Sequence, residues 1–357
     1  MVTVKAPGKL YLAGEYAIVE TGKPAILIAV DQFVYATIKG SAKGHLASKQ
    51  LKKEIYWTRE NDLLTSKDLS KDFSYVLEAI KLTERYAKEQ GKTLQTFDLS
   101  LDSDLDSPDG KKYGLGSSAA VTVAVVKALD KFYALDLSKL EIFKIAALAH
   151  YLVQKNGSLG DIAASSFGGW IAYYSCDRTW LLDMVAKHSI TEIVALKWPN
   201  LQITPLTPPT DLRLLIGWTK SPSLTADLVK EVSLTKDERQ KKYELFLQES
   251  ADCVTEMIKG FSKNDLELVL KQVARNRKLL RDLENISQVV IETPTLEKLI
   301  ELTIKAGGQA KTSGAGGGDC GIAFLPKDIA YKDLLNAWRK NQIEPLNIKV
   351  YTEQKGN

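Results

Sequence analysis

The pattern of apolar and polar positions predicts alternating strands and helices in the first half of the chain. Alternation with a period of two is typical of strands, and apolar residues three or four apart are typical of helices. Strands are predicted over residues 2–6, 9–16, 25–37, 96–101 and 170–174. Helices are predicted over residues 74–88, 121–129 and 141–153. The lysine-rich stretch 39–71 shows only a weak strand pattern near 55–58.

The second half predicts a further layer of strands and helices. Prolines cluster between Trp198 and Asp211, which is typical of a connection between domains. Beyond them, strands are predicted over 212–218, 320–325 and 346–352, and helices over 242–261, 265–284, 295–306 and 332–341. This order favours an α+β sandwich. Because 357 residues suit two cores, we expect an N-terminal domain over 1–205 and a C-terminal domain over 206–357.

Residues 111–120 form a glycine-rich stretch that is the strongest candidate for chemistry. They read Lys-Lys-Tyr-Gly-Leu-Gly-Ser-Ser-Ala-Ala and run directly into the apolar segment 121–129. Small residues let backbone N–H groups approach a ligand, and the N-terminus of a helix favours an anion. We therefore expect a nucleotide phosphate here, with Ser117 or Ser118 within reach of a bound metal.

The residues alone leave other interpretations of this stretch open. A Walker A loop is excluded, because the Gly-Lys-Thr at 91–93 has Tyr86 where the earlier glycine is required. The stretch fits Gly-x-Gly-x-x-Ala, the loose dinucleotide pattern, although residues 108–112 are a poor strand in front of it. A tight helix start without any ligand also fits.

Further loops repeat the same combination of glycine, hydroxyl and lysine. Loops near 7–16 and 311–319 carry Lys9 and Lys311, and the hydroxyl-rich loop 219–225 carries Lys220. Such loops suit oxyanions, and several of them suggest more than one anionic ligand, although solvated surface lysines would explain any single case. Asp161 lies among glycines and small residues in a site-like arrangement, although an aspartate that caps the next helix fits there as well.

Composition and charge argue against several classes of protein. A formal charge of +4 without a dense basic block does not suggest nucleic acid. No run approaches the 18 apolar residues of a membrane span, and the N-terminus lacks a signal-peptide core. Three widely spaced cysteines suit a reducing cytoplasm, where we expect the protein, and three dispersed histidines do not suggest a metal cluster.

Three motifs resemble those of the GHMP kinases, the superfamily of galactokinase, homoserine kinase, mevalonate kinase and phosphomevalonate kinase. They are Pro-Gly-Lys-Leu-Tyr-Leu-Ala-Gly-Glu-Tyr at 7–16, Gly-Leu-Gly-Ser-Ser-Ala-Ala at 114–120 and Ser-Gly-Ala-Gly-Gly-Gly-Asp at 313–319. They follow the family's order and span nearly the whole chain. Within the superfamily, residues 112–118, 157–161, 217–220 and 316–323 are most similar to bacterial phosphomevalonate kinases.

The resemblance implies a fold and a reaction. The fold would be the two-domain α+β fold of GHMP kinases, with an N-terminal domain like ribosomal protein S5 domain 2, a ferredoxin-like C-terminal domain and an active site in the cleft between them. The reaction would be the ATP- and Mg²⁺-dependent phosphorylation of (R)-5-phosphomevalonate to 5-diphosphomevalonate, in the mevalonate pathway of isoprenoid biosynthesis. We expect a monomer or homodimer that binds its small-molecule substrate and neither nucleic acid nor a membrane. Phosphoryl transfer depends mainly on positioning and on cations near the developing charge, which agrees with the loops.

The resemblance also implies roles for individual residues. Asp161 would orient or deprotonate the attacking phosphate oxygen, and Lys9 would stabilise charge on the transferring group. Ser118 would lie nearest Mg²⁺. The ATP phosphates would contact Gly114, Leu115, Gly116, Ser117, Ser118 and Ala119. The acceptor would contact Glu15, Tyr16, Lys111, Lys112, Ser158, Lys220, Thr225, Ser313, Gly314 and Ala315.

His150 departs from the family pattern. In mevalonate and homoserine kinases a glutamate on the helix before the aspartate helps to hold Mg²⁺, and His150 stands at the corresponding position. Water and phosphate oxygens would then complete the magnesium shell. Mevalonate kinase or another small-molecule GHMP kinase is the nearest alternative, which this histidine and the added lysines disfavour. A related decarboxylase is a further alternative, and so is a non-catalytic sensor, which the presence of Lys9 and Asp161 disfavours.

Overall fold

The computed structural model describes residues 1–66, 71–107, 109–221 and 238–353. Within these ranges the larger of two sheets has eight strands. They are β1 (Val2–Ala13), β2 (Pro24–Gly40), β3 (Gly44–Ser48), β4 (Lys53–Glu60), β5 (Leu63–Thr65), β6 (Phe97–Ser103), β7 (Trp170–Tyr174) and β8 (Gln202–Leu206). The strand order is β5-β4-β3-β6-β2-β7-β8, and β1 pairs with β2.

Helices pack against this sheet and close the first core. They are α1 (Ser74–Glu89), α2 (Ser117–Tyr133), α3 (Lys139–Gln154), α4 (Gly160–Phe167), α5 (Arg178–Lys187) and α6 (Ile190–Ala195). Both α2 and α4 contact β1 and β2, while α1 and α3 pack on α2. Apolar side chains such as Leu27, Val123 and Ile145 are completely buried between these layers. This packing brings the N-terminal ends of α2 and α4 close to β1.

The second sheet has four antiparallel strands in the order β10-β11-β9-β12. They are β9 (Leu212–Trp218), β10 (Gln309–Thr312), β11 (Cys320–Pro326) and β12 (Glu344–Leu346). The accompanying helices are α7 (Glu238–Ser262), α8 (Leu266–Ser287), α9 (Pro294–Lys305) and α10 (Lys332–Lys340). Leu299, Leu325 and Trp338 belong to a separate core cluster on this sheet.

A third apolar cluster joins the two halves. Tyr16 and Ala17, which follow β1, pack with Phe246 of α7, Leu280 of α8 and Ala315 after β10. The first and third glycine motifs therefore meet at this junction, next to the start of α2.

Several predicted elements need correction. Pro7 and Gly8 do not end a strand, because β1 continues through them with a shift in its register against β2. The predicted last strand, 346–352, is wrong: β12 ends at Leu346, and Val350 makes an isolated bridge to Val30 of the first sheet. The proline-rich connection contains β8, which pairs with β7.

Other elements were not predicted. The lysine-rich stretch contains β3, β4 and β5, and residues after Cys176 form α5 and α6. The chain changes from one sheet to the other between Leu206 and Leu212. The domain boundary at 205/206 stays a prediction.

Candidate active site

An open cleft lies where the three glycine motifs meet. Its walls come from β1, the loop before α2, the start of α4 and the loop after β10. The predicted site residues that line it are Lys9, Glu15, Tyr16, Gly114, Ser158, Asp161, Ser313, Gly314 and Ala315. Both predicted catalytic residues therefore face one cavity.

Lys9 is fixed against the loop that precedes α2. Its backbone N–H donates to the carbonyl of Leu115 over 2.8 Å, and its Nζ donates to the carbonyl of Gly114 over 3.3 Å. Gly116 caps α2 in the left-handed conformation, with φ 77°. A Cβ at this position would lie 2.8 Å from Cε of Lys9. Glycine is needed at 116 both for the backbone conformation and for the path of the lysine.

The loop leads directly into α2, as an anion-binding helix start requires. No side chain caps the helix at Gly116, so the N-terminal end of α2 stays open to a ligand. Gly114 is also left-handed, and a Cβ there would lie 2.5 Å from the carboxylate of Asp319. In the described residues before Gly114, Asp106 and Lys112 form a single bridge rather than a strand. The dinucleotide interpretation therefore lacks its strand.

A second cavity lies at the start of α2 and shares no lining residue with the first. Ser117, Ser118 and Lys112 line it together with Tyr75 and apolar side chains such as Val76. The first residues of α2 therefore line the second cavity, whereas Lys9 and Asp161 line the first.

Asp161 lies in the first turn of α4 without capping it. The N-cap residue is Leu159, at φ 67°, and its side chain makes no capping bond. The hydroxyl of Ser158 accepts instead from the N–H of Gly160, over 3.2 Å. Interpreting Asp161 as a helix cap is therefore wrong, and its carboxylate is directed to the cleft.

His150 lies beside Ser118, at the end of the loop that faces the second cavity. Its Nε2 is 3.2 Å from Oγ of Ser118, and its ring stacks on Tyr75 with the centroids 4.8 Å apart. Burial lowers the pKa of His150 while the charge of Asp161 opposes this shift, so a neutral imidazole is favoured next to the hydroxyl.

The donor set near Ser118 fits a magnesium ion that arrives with phosphate. Within the described ranges, no three His, Cys, Asp or Glu side chains form a group that could hold a metal. A hydroxyl at a helix N-terminus matches the preference of Mg²⁺ for few protein oxygens, several waters and substrate phosphates.

Glu15 and Lys311 form a buried ion pair across the junction of the two halves. Lys311 Nζ donates to Glu15 Oε1 and, over 2.6 Å, to the carbonyl of Thr312. The side chains of Lys311 and Glu15 are 0% and 2% exposed. Burial lowers the pKa of Lys311, and the carboxylate of Glu15 acts against that shift. Next to this pair, the Tyr16 hydroxyl donates to the carbonyl of Ala315.

The other predicted lysines lie elsewhere. Nζ of Lys111 is 3.6 Å from Oδ2 of Asp109, and Nζ of Lys220 is 3.3 Å from Oε2 of Glu344. The side chain of each lysine is about half exposed. Neither of them lines the two cavities, and Lys112 lines only the second. Thr225 lies outside the described residues.

Tyr11 and Asp319 line the cleft but were not predicted. A signal for Tyr11 was available, because residues two apart on a strand share a face and Tyr11 follows Lys9 by two. Its hydroxyl is 2.9 Å from Oγ of Ser158, and Ser313 donates to its carbonyl over 2.8 Å. Asp319 reaches the cleft only through the turn of the third motif, which the sequence pattern does not show.

Family models match both halves of the chain. The model described as the GHMP kinases N terminal domain matches residues 74–169, and that described as GHMP kinases C terminal matches 257–344. In the described part of the chain, no helix combines the length and apolar character needed to cross a membrane.

Curated relatives and solved structures match over nearly the full length. The phosphomevalonate kinase of Streptomyces sp. (strain CL190) is 36% identical over 96% of this chain and 95% of its own. A mevalonate kinase of Pyrococcus furiosus is 30% identical over 91% of this chain and 89% of its own. The structure of Streptococcus pneumoniae phosphomevalonate kinase in complex with phosphomevalonate and AMPPNP is 30% identical, with a TM-score of 0.86 over 98% of this chain and 100% of that one. The Lin0012 protein from Listeria innocua is 37% identical, with a TM-score of 0.92 over 98% of this chain and 99% of that one. These matches confirm the resemblance seen in the three motifs, and the chain belongs to the GHMP kinase family.

Proposed function

We propose that the chain transfers the γ-phosphoryl group of ATP to the phosphate of 5-phosphomevalonate, which yields ADP and 5-diphosphomevalonate. The observation that carries this proposal is one cleft in which Lys9 and Asp161 lie with Gly114, in the loop that leads into α2. A full-length relative with this activity in its name and a related structure that holds phosphomevalonate and AMPPNP support it.

The loop 114–119 separates the expected positions of the two substrates. Nucleotide phosphates would lie on the open N-terminus of α2, where backbone N–H groups and the helix dipole favour negative charge. The cavity with Ser117, Ser118 and Lys112 would then hold the rest of the nucleotide. The acceptor would occupy the cleft with Asp161, Ser158 and Ser313.

Lys9 and Asp161 would act on the transferring group from the acceptor side. Lys9, held by the carbonyl of Gly114, would stabilise the charge that develops on the phosphoryl oxygens. Asp161 would orient the attacking phosphate oxygen. Because that phosphate is already largely ionised at neutral pH, proton removal matters less than orientation.

Ser118 would hold the magnesium ion, whose remaining ligands would be waters and phosphate oxygens. Bound there, Mg²⁺ would neutralise charge on the phosphates of ATP. His150 would contribute through its contact with the Ser118 hydroxyl. It would not supply the carboxylate that the glutamate of mevalonate and homoserine kinases supplies at this position.

The roles of the other predicted acceptor-site residues are proposals as well. Glu15 and Tyr16 would shape the mevalonate end of the cleft, with Glu15 held by Lys311. Gly314 and Ala315 would approach the acceptor through backbone groups. Lys111, Lys112 and Lys220 stay candidates for the acceptor phosphate only if their loops approach the cleft when substrate binds. Monomeric or homodimeric assembly and a cytoplasmic location also stay predictions.

The direct test measures ADP release by purified protein with MgATP and either 5-phosphomevalonate or mevalonate. Turnover with 5-phosphomevalonate and ³¹P detection of a diphosphate ester is the expected result. Turnover with mevalonate alone would contradict the proposed acceptor and favour the activity named for the Pyrococcus relative. Release of CO₂ would indicate a decarboxylase, and binding of ATP without turnover of either acceptor would indicate a sensor.

A further inference from the structure

Tyr11 connects the strand that carries Lys9 to the helix that carries Asp161. On β1 the pairing with β2 is regular from Lys9 to Tyr11, so both side chains leave the same face. The Lys9 ammonium lies 5.6 Å from the centroid of the Tyr11 ring. The ring of Tyr11 therefore lies beside Lys9, one of the two predicted catalytic residues.

The other end of Tyr11 reaches the start of α4. Its hydroxyl is 2.9 Å from Oγ of Ser158, which is 5% exposed and accepts from the N–H of Gly160. Gly160 is the first residue of α4, and Asp161 is the next. A chain of three groups thus runs from β1 to the turn that carries the carboxylate.

Gly160 shows how closely the phenol fits this turn. A Cβ at position 160 would lie 2.7 Å from the Tyr11 hydroxyl oxygen. The phenol therefore occupies the space that a side chain at position 160 would need, and glycine lets the start of α4 pack beside it. The backbone of Tyr11 is held as well, because Ser313 donates to its carbonyl.

We propose that Tyr11 is a positioning residue that fixes Asp161 relative to Lys9 through Ser158 and the first turn of α4. The inference rests on the proposed function for the roles of Lys9 and Asp161. Small displacements matter in phosphoryl transfer, because a misplacement of about 1 Å costs roughly a hundredfold in rate. Burial and, less strongly, the charge of Asp161 raise the pKa of Tyr11, so the phenol remains protonated at the pH of an assay.

The test compares Tyr11→Phe with Tyr133→Phe. Tyr11→Phe keeps the ring next to Lys9 and removes only the link to Ser158. Tyr133 is the matched control, because its buried hydroxyl donates to Glu84 at the far end of α2. We expect Tyr11→Phe to lower kcat roughly ten- to a hundredfold with the KM of both substrates within about twofold. Tyr133→Phe should destabilise the fold and leave kcat within about twofold.

A double mutant tests the route through Ser158. If Tyr11 acts through this hydroxyl, adding Tyr11→Phe to Ser158→Ala lowers kcat little further, whatever the loss of the Ser158 hydroxyl does to the KM of the acceptor. If the fold reductions in kcat of the two single variants multiply in the double variant, the two residues act independently and the proposed route is overturned. An unchanged kcat in Tyr11→Phe would overturn the positioning role. A rise confined to the KM of the acceptor would do the same, since it would indicate a direct contact with substrate.

The comparison separates this inference from the proposed function. All variants are assayed with whichever acceptor the wild-type protein turns over. Wild-type turnover of mevalonate but not 5-phosphomevalonate would contradict the proposed acceptor, while the ratio of variant to wild-type kcat would still test Tyr11. If neither acceptor reacts, the ratio of variant to wild-type kcat is measured on the hydrolysis of MgATP by water. A ratio near one for Tyr11→Phe would again overturn the positioning role.

Discussion

Lysines next to glycine-rich segments occupy two different environments in this fold. Lys9 lies in the cleft, where its ammonium donates to the Gly114 carbonyl, and Lys311 is completely buried against Glu15. By contrast, the side chains of Lys111 and Lys220 are 58% and 48% exposed, and each lies near one exposed carboxylate. In the sequence all four belong to similar stretches of glycines, hydroxyls and a cation.

The difference lies in what each cation can do for a nearby anion. Two charges interact several times more strongly near a protein interior than in bulk water, because the effective dielectric constant is lower. A cation that is already held in place also needs no reorganisation when charge develops. Lys9 and Lys311 therefore have the larger expected effects, the first on catalysis and the second on stability.

Replacing Lys9 should produce the largest effect. We expect Lys9→Met to lower kcat by roughly a thousandfold or more, because the developing charge on the phosphoryl group loses its fixed cation. Asp161→Asn should lower kcat by orders of magnitude as well. Single-turnover kinetics with saturating MgATP would measure the chemical step. Thermal unfolding close to that of the wild type is the control, and near wild-type kcat in either variant would contradict its assigned role.

Replacing Lys311 should mainly affect stability. Lys311→Met leaves the Glu15 carboxylate buried without its cation, and breaking such a pair costs roughly 3–5 kcal/mol of unfolding free energy. Urea denaturation would measure the loss. The double variant Glu15→Gln/Lys311→Met is the control, since it removes both charges and should recover part of the stability. A loss below about 1 kcal/mol in Lys311→Met would show that Glu15 becomes protonated or hydrated instead.

These environments explain which parts of the site could be predicted from the sequence. Lys9, Gly114 and Asp161 lie in short motifs whose local pattern already predicts a turn or a helix start. The resemblance of three motifs to those of GHMP kinases predicted the family and implied both catalytic candidates, and periodicity predicted most of the helices. The partner of Glu15 could not, because Lys311 lies 296 residues away and meets it only where β1 and β10 come together.

The local sequence pattern also did not predict which of these lysines are buried. Lys220 and Lys311 both lie next to threonine or serine and near glycines, yet one pairs with Glu344 at the surface and the other enters the junction of the two halves. The prediction of a final strand over 346–352 failed for a related reason. The backbone N–H of Tyr351 donates to the carbonyl of Ala29, and the carbonyl of Tyr351 accepts from the N–H of Gly169, so long-range contacts determine the path of this segment.

Moving Lys9 without removing it should have an intermediate effect. In Gly116→Ala the new Cβ would lie 2.8 Å from Cε of Lys9, so we expect the ammonium to shift and kcat to fall roughly tenfold or more. Gly91→Ala is the matched control, because Gly91 has a similar φ of 75° and no atom within 4 Å of its added Cβ. Both variants should lose roughly 1–2 kcal/mol through backbone strain. Equal kcat in the two variants would show that the path of Lys9 tolerates the added methyl group.

Removing the exposed lysines should have the smallest effect on the folded protein. We expect Lys111→Met and Lys220→Met each to change the unfolding free energy by less than about 1 kcal/mol, because exposed ion pairs contribute little. The change should shrink further at high salt, where charges on the surface are screened. The same variants test whether the loops move, since the described structure places neither ammonium in the cleft. A tenfold or larger rise in the KM of the acceptor, with the KM of ATP unchanged, would mean that substrate binding draws the lysine into the cleft. The distinction between the held lysines, Lys9 and Lys311, and the exposed ones would then be lost. An unchanged KM would leave Lys9, the lysine that lines the cleft, to neutralise charge on the acceptor.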